Sequence, residues 1–123
     1  MTGFACLLDS DPLIETDGIS GALAISKSLA MLGRQVVLIM DKHSERIMKE
    51  TVSEYFKATG TGIDMQFYTC GKGMINEEEK GRLAELSSTC DAIISIERPS
   101  VNPNGSYMTM RAIDIIANTA EVD

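Results

Sequence analysis

An acidic loop near the N-terminus carries the residues best suited to chemistry. Its sequence is Glu15-Thr16-Asp17-Gly18, and Gly21 follows at the start of a helix-forming segment. The carboxylates of Glu15 and Asp17 can bind a divalent metal ion, or accept and deliver a proton. Gly18 and Gly21 let the backbone approach a ligand closely, and free N–H groups at a helix N-terminus attract an anion. The alternative is that Thr16 or Asp17 only caps the helix, with the glycines fitting a tight turn.

A second cluster, Glu97-Arg98, directly follows the apolar run Ala92–Ile96. The guanidinium of Arg98 can bind a substrate carboxylate through two parallel N–H groups. Glu97 can act as an acid or a base. The alternative is a fixed ion pair that pins the end of a strand.

A third cluster lies in the polar segment from Asn102 to Arg111. Asn104-Gly105 predicts a turn that folds the segment back. Beyond it, Tyr107 can donate a hydrogen bond and Arg111 can bind a carboxylate. The alternative is a surface loop whose aromatic side chain packs on the last helix.

Apolar periodicity indicates which elements position these clusters. Continuous or alternating apolar runs predict strands at residues 4–8, 36–40, 63–68 and 92–96. Three- and four-residue apolar spacing and helix-capping residues predict helices at residues 20–32, 44–57, 76–88 and 107–118. This alternation predicts one α/β domain over residues 1–123. We expect a three-layer, Rossmann-like fold with a mostly parallel sheet of about four strands and helices on both faces.

In a parallel sheet, ligands bind beyond the carboxyl ends of the strands. Glu15 follows the first predicted strand, Asp41 the second and Glu97 the fourth, so these acids can converge along one edge. Gly18, Gly21 and Asp41 also form a weak dinucleotide-binding pattern. The loop is too long for that motif, and its carboxylates would repel a pyrophosphate. We therefore expect no nucleotide cofactor.

Composition excludes several classes of protein. The formal net charge of −7 argues against nucleic-acid binding, and no apolar run reaches the roughly 20 residues that span a bilayer. Three cysteines without a C-x-x-C pair, and the lone His43, argue against a zinc site. The odd cysteine count, with no signal-peptide pattern, predicts a reducing intracellular setting, the cytoplasm.

The clusters together resemble a known family. The matching residues, in order, are Gly3-Phe4, Glu15-Thr16-Asp17-Gly18, Gly21-Ala22, Ile94–Arg98, Asn104–Tyr107, Met110-Arg111 and Asp114-Ile115. This pattern is similar to that of the C-terminal domain of D-glutamate cyclases, and specifically to the N-terminal half of that domain. The E-T-D-G loop and the I-E-R strand end are specific as a pair.

The resemblance implies a lyase that interconverts D-glutamate with 5-oxo-D-proline and water, so the expected partner is a small acidic amino acid. Glu15, Asp17, Glu97 and Tyr107 are the expected catalytic residues. The residues expected to bind substrate are Thr16, Gly18, Arg98 and Arg111. Mg²⁺ or Mn²⁺ is the expected cofactor, with Glu15 and Asp17 as its ligands. Because animal members are mitochondrial, the mitochondrial matrix is the alternative location.

The chain also departs from the family pattern. Ile19-Ser20 replaces two prolines, and Met108-Thr109 and Arg111-Ala112 differ from the usual residues. Family domains continue into a Gly-rich acidic segment, so this chain alone could be inactive. The alternative function is a non-catalytic Rossmann-like module that binds a small anion or a divalent metal, or a subunit that completes a partner. We expect a homo-oligomer, or a partner that supplies the missing half-domain.

Overall fold

A computed structural model describes residues 1–3, 5, 9, 11, 14–57 and 63–122. Three helices and two strands form an α/β arrangement. In chain order they are α1 (Asp17–Met31), β1 (Val37–Asp41), α2 (Glu45–Phe56), β2 (Asp64–Tyr68) and α3 (Glu77–Thr89). Short 3-10 helices cover Lys42–Ser44 and Ile116–Asn118. None of the helices formed by the described residues is long and apolar enough to cross a lipid bilayer.

The strands β1 and β2 form a two-stranded parallel sheet. Val37 pairs with Asp64 at one end and Asp41 pairs with Tyr68 at the other. The strands predicted at residues 36–40 and 63–68 are therefore confirmed, each shifted by one residue at one or both ends. The crossover through α2 is what allows the two strands to run in the same direction.

Helices α1 and α2 supply the apolar core against one face of this sheet. Met40 and Phe67 are paired across the strands, and both side chains are buried. Helix α2 adds Met48, Val52 and Phe56 at four-residue spacing, which places all three on one side of the helix. On the opposite face, the Arg82 guanidinium of α3 lies 5.4 Å from the centre of the Tyr68 ring.

The buried stripe of α1 differs from the predicted one. The three- and four-residue spacing of Ala22, Ile25, Leu29 and Leu32 predicts that these residues form the buried stripe, but Ile25 and Leu32 are exposed. The helix begins at Asp17, and its buried residues are Gly18, Ile19, Ala22, Leu23 and Ser26. The prediction was wrong because two apolar stripes overlap in this sequence, and packing against the sheet selects the one that contains Ile19.

The two other helix predictions around the sheet are confirmed. Helix α2 is preceded by the 3-10 helix, and α3 begins after Asn76 as expected. The Asn76 side chain accepts from the Glu79 N–H, and the Glu79 carboxylate accepts from the Asn76 N–H. This reciprocal capping satisfies two amides that have no partner inside the helix.

The strand predicted at residues 4–8 lies largely outside the described residues; of it, Ala5 forms an antiparallel bridge with Ile14. The residues just before it run along the sheet. The Thr2 N–H donates to Ile39 O at 3.2 Å, and Thr2 also bridges Ile96 in parallel orientation. Residues 1–2 therefore lie between β1 and the segment that ends at Ile96.

The strand predicted at residues 92–96 is wrong beyond this single bridge. The segment makes two further backbone contacts, from the Met1 ammonium to Ile94 O and from the Ile96 N–H to Met1 O. Ile93 and Ile94 are 63% and 46% exposed. A continuous apolar run becomes a buried strand only where other elements cover it, and no described element covers this one. Within the described residues, the sheet has two strands, and the predicted sheet of about four strands is not confirmed.

The helix predicted at residues 107–118 is also wrong. Met108 bridges Asp114 across a turn, and only Ile116–Asn118 is helical, as a 3-10 turn. The Thr109 hydroxyl oxygen accepts from the Ile113 N–H, and Asp114 Oδ1 accepts from the Ile116 N–H. These short side chains satisfy backbone amides locally and so compete with a helix. The predicted Asn104-Gly105 turn is confirmed, with φ of 73° at Gly105.

Candidate active site

The acidic loop leads directly into α1. Thr16 occupies the N-cap position but makes no side-chain capping hydrogen bond, and Asp17 is the first helical residue. Both side chains are exposed, whereas Gly18 is buried. The amides of the first turn of α1 have no acceptor within the helix and are available to an anion.

Gly18 brings the start of α1 against Glu97. A Cβ added at Gly18 would lie 2.4 Å from the Cβ of Glu97 and 3.1 Å from Ile96 O. Any side chain at position 18 would therefore push these elements apart. The contact gives a physical reason for the co-occurrence of the E-T-D-G and I-E-R motifs, because the glycine of one accommodates the glutamate of the other.

Glu97 has a left-handed backbone, with φ of 47°. This conformation costs a residue other than glycine roughly 1–3 kcal/mol and persists only where neighbouring contacts hold it. Such contacts flank it on both sides. The Ile96 N–H donates to Met1 O, and the Arg98 side chain is fixed by an ion pair. The strained turn directs Glu97 to the start of α1.

Five residues line a shallow pocket at this junction, and they are Gly3, Glu15, Gly18, Ile19 and Glu97. The predicted residues Glu15, Gly18 and Glu97 are therefore brought together. Two carboxylates lie beside a helix N-terminus and the apolar side chain of Ile19. Such a pocket can accept a proton, deliver one, and bind a ligand that carries both an ammonium and a carboxylate.

Behind the pocket lies a buried ring of hydrogen bonds formed by Asp41, Arg98 and the backbone of Ala120. The Arg98 Nη1 donates to Asp41 Oδ2 at 2.6 Å, and both side chains are at most 3% exposed. The Ala120 N–H donates to Asp41 Oδ1 at 2.8 Å, and Arg98 Nη2 donates to Ala120 O at 2.7 Å. The ion pair of Arg98 is thus made with Asp41, and the guanidinium is occupied by partners from the protein.

Tyr107 and Arg111 do not belong to the set that lines the pocket. Tyr107 is 2% exposed, and its carbonyl accepts from the Ile115 N–H. Arg111 is exposed, and no ion pair within the described part of the chain involves it. Thr16 and Asp17 stand at the rim, next to Glu15 and Gly18.

A cysteine and a histidine that had no predicted role form a pair at the same edge of the sheet. Cys70 Sγ and His43 Nδ1 are 3.4 Å apart. Desolvation lowers the pKa of His43, against an opposing effect of Asp41, while burial and then Asp41 raise the pKa of the Cys70 thiol. Both groups are therefore neutral near pH ~7. Asp41 and Tyr68 are paired at the ends of β1 and β2. Because His43 and Cys70 each lie two residues beyond this pair, the register of the sheet predicts that they are neighbours.

No group of three or more acidic, histidine or cysteine side chains that could hold a metal ion occurs within residues 1–3, 5, 9, 11, 14–57 and 63–122. Glu15 and Asp17, the expected ligands of Mg²⁺ or Mn²⁺, differ in environment. Glu15 is half-buried at the pocket, and Asp17 is exposed on α1.

Comparison with known proteins identifies the family. Searches of curated proteins and of solved structures found no match. A family model described as "D-glutamate cyclase-like, C-terminal" matches residues 1–123. The match spans both motifs that meet at the pocket, the Glu15–Gly18 loop and the turn at Glu97. The chain belongs to the D-glutamate cyclase-like family, within which it corresponds to the C-terminal domain.

Proposed function

We propose that this pocket interconverts D-glutamate with 5-oxo-D-proline and water. The observation that carries the proposal is the meeting of Glu15 and Glu97 across Gly18, at the free amides of α1. Family membership supplies the substrate class. The two carboxylates supply the acid–base chemistry that cyclisation needs.

The substrate has one ammonium and two carboxylates, and the residues that line this shallow pocket offer a chemical partner for each of them. The amides of the first turn of α1 bind the α-carboxylate, since the helix dipole favours an anion there. One glutamate binds the ammonium. The aliphatic carbons of the substrate lie against Ile19. Arg98 was predicted to bind substrate. In this proposal it does not, because its guanidinium lies behind the pocket and already donates hydrogen bonds to Asp41 and Ala120.

Cyclisation requires the movement of two protons. Glu15 accepts a proton from the ammonium, and the free amine attacks the γ-carbon. A carbon–nitrogen bond forms, a carbon–oxygen bond breaks, and the departing oxygen leaves as water with the two protons that the nitrogen loses. Glu97 takes up the second proton that the nitrogen loses, and the two glutamates then deliver both protons to the leaving oxygen, so that each carboxylate ends unprotonated. Asp17, at the rim, would be the carboxylate that holds a divalent cation, which would polarise the γ-carboxyl group when present.

The direct test is turnover of D-glutamate by the wild-type chain and by Glu97→Gln, followed by chiral chromatography of 5-oxo-D-proline with and without Mn²⁺. We expect product from the wild type and a loss of roughly 10²–10⁴-fold in the variant, the range for one acid–base group. Glu85→Gln on the exposed side of α3 is the matched control and retains full activity.

Two results would contradict the proposal. One is a wild-type chain that forms no product under either metal condition. The other is a folded Glu97→Gln protein that is as active as the wild type. Binding of D-glutamate without turnover would favour the non-catalytic, ligand-binding alternative.

A further inference from the structure

Asp41 is a buried acid for which the proposed chemistry has no direct use. It ends β1, and 1% of its side chain is exposed. Each carboxylate oxygen accepts a strong hydrogen bond, Oδ2 from Arg98 at 2.6 Å and Oδ1 from the Ala120 N–H at 2.8 Å. Because only 1% of the Asp41 side chain is exposed, a substrate cannot reach its carboxylate, and Asp41 can influence the site only through its partners.

The ring of three groups fixes the Arg98 side chain at two points. One nitrogen of the guanidinium bonds Asp41 and the other bonds Ala120 O at 2.7 Å. Because the guanidinium is planar, two bonds in different directions determine its orientation as well as its position. Arg98 directly follows Glu97, whose left-handed backbone must be held by its surroundings.

Asp41 also lies immediately behind the pocket wall. A Cβ added at Gly3 would be 3.6 Å from Asp41 Oδ2, and Gly3 is one of the pocket residues. The Thr2 N–H bonds Ile39 O within β1. The same acid therefore stands behind Gly3 on one side and holds the neighbour of Glu97 on the other.

We propose that Asp41 is a positioning residue, which orients Arg98 and thereby holds Glu97 against Gly18 at the edge of the pocket. A buried ion pair contributes little net stability compared with apolar residues of the same size, because desolvation offsets the attraction between the charges. The contribution of the ion pair here is to fix the orientation of the Arg98 side chain. The kinetic test of this inference rests on the proposed function, whereas the test by amide signals does not.

The test combines kinetics with a double-mutant cycle. Asp41→Asn keeps the shape but loses the charge that orients Arg98, so we expect kcat to fall roughly 10- to 100-fold with little change in KM. In the Glu97→Gln variant, Asp41→Asn should change kcat by less than about twofold, because the glutamate that Asp41 positions is already absent. Arg98→Lys keeps the charge, loses the two-point contact, and lowers kcat in the same way.

A structural readout separates this inference from the proposed function. In Asp41→Asn and Arg98→Lys, the amide signals of Glu97 and Gly18 shift and exchange faster with solvent, while those of α3 stay unchanged. If the wild type lacks turnover, the proposed function fails and these signals alone decide the inference. Unchanged amide signals at Glu97 would overturn the inference. An Asp41→Asn substitution that lowers kcat equally in the wild type and in Glu97→Gln would also overturn it. Should Asp41→Asn not fold, Arg98→Lys provides the same comparison.

Discussion

Residues 14–57 together with 63–68, and residues 90–122, are held in place by different forces. In the first region, helices and strands bury a continuous apolar cluster, in which Met40 and Met48 are 2% and 1% exposed. In the second, Ile93 is 63% exposed and Met110 is fully exposed. The second region also buries Tyr107, Ile115 and Ala120, outside the main apolar cluster. It is held in addition by turns, by hydrogen bonds from short polar side chains, and by the Asp41–Arg98–Ala120 ring.

This difference distinguishes the interactions that stabilise the fold from those that position the residues of the site. An apolar core is tolerant in detail, because many combinations of similar volume fill it. A polar ring specifies one arrangement of its donors and acceptors. The pocket lies where the two regions meet. Glu15, Gly18 and Ile19 come from the packed region, and Glu97 comes from the polar one.

The largest expected effect tests the packed region. Met48→Ala should lower the free energy of unfolding by about 2–5 kcal/mol, because it leaves a cavity in the core. Met110→Ala is the matched control, and its effect should lie within about 0.5 kcal/mol because its side chain is already in water. Urea unfolding of both variants measures the contrast. Equal losses would show that the two regions do not differ in packing.

A smaller effect is expected in α3, which connects the two regions and whose one buried residue is Glu79. The Glu79 carboxylate accepts from the Thr69 N–H at 3.0 Å, from the Thr69 hydroxyl at 2.9 Å, and from the Asn76 N–H. Glu79→Gln should cost about 1–3 kcal/mol at neutral pH, since these are hydrogen bonds to a charged group. Glu78→Gln, exposed at the next position, is the control.

The cost of Glu79→Gln should depend on pH. Burial raises the pKa of Glu79, but hydrogen bonds from Asn76 and Thr69 and the charge of Arg82 outweigh it, so the pKa is below its usual value of 4.5. A lowered folded-state pKa stabilises the protein above the unfolded value, and that contribution is lost as pH falls through the folded value. The difference between wild type and variant should therefore shrink below about pH 4. A constant or growing difference would contradict this account of α3.

The helices and strands of the packed region could be predicted from apolar spacing, although the buried side of α1 was predicted wrongly. Val36–Met40 and Ala92–Ile96 are both apolar runs, yet only the first lies in a strand. The sequence of a run does not say which elements will cover it, and that information lies elsewhere in the chain. Residues 107–118 were misassigned for a different reason, because Thr109 and Asp114 bond nearby amides that a helix would otherwise use.

The site was partly predictable for a similar reason. The sequence predicted that Glu15 and Glu97 meet beyond two parallel strands; they do meet, but across Gly18 at the start of α1, and residues 92–96 do not form the predicted strand. The Asp41–Arg98 ion pair was not predicted, although Asp41 and Glu97 were expected at the same edge of the sheet. The hydrogen bonds to the backbone of Ala120 leave no trace in residue type. The left-handed backbone of Glu97 was equally hidden, since glutamate has no preference for it.

The central claim, that Glu15, Gly18, Ile19 and Glu97 form the ligand site of this D-glutamate cyclase-like chain, is tested most directly by mapping binding residue by residue. The measurement is a titration of the ¹⁵N-labelled protein with D-glutamate and with 5-oxo-D-proline, followed through its backbone amide signals. We predict saturable shifts at these four residues and at Gly3, with no change along α3. Shifts confined to another surface, such as the Cys70–His43 pair, or none with either compound, would contradict the claim.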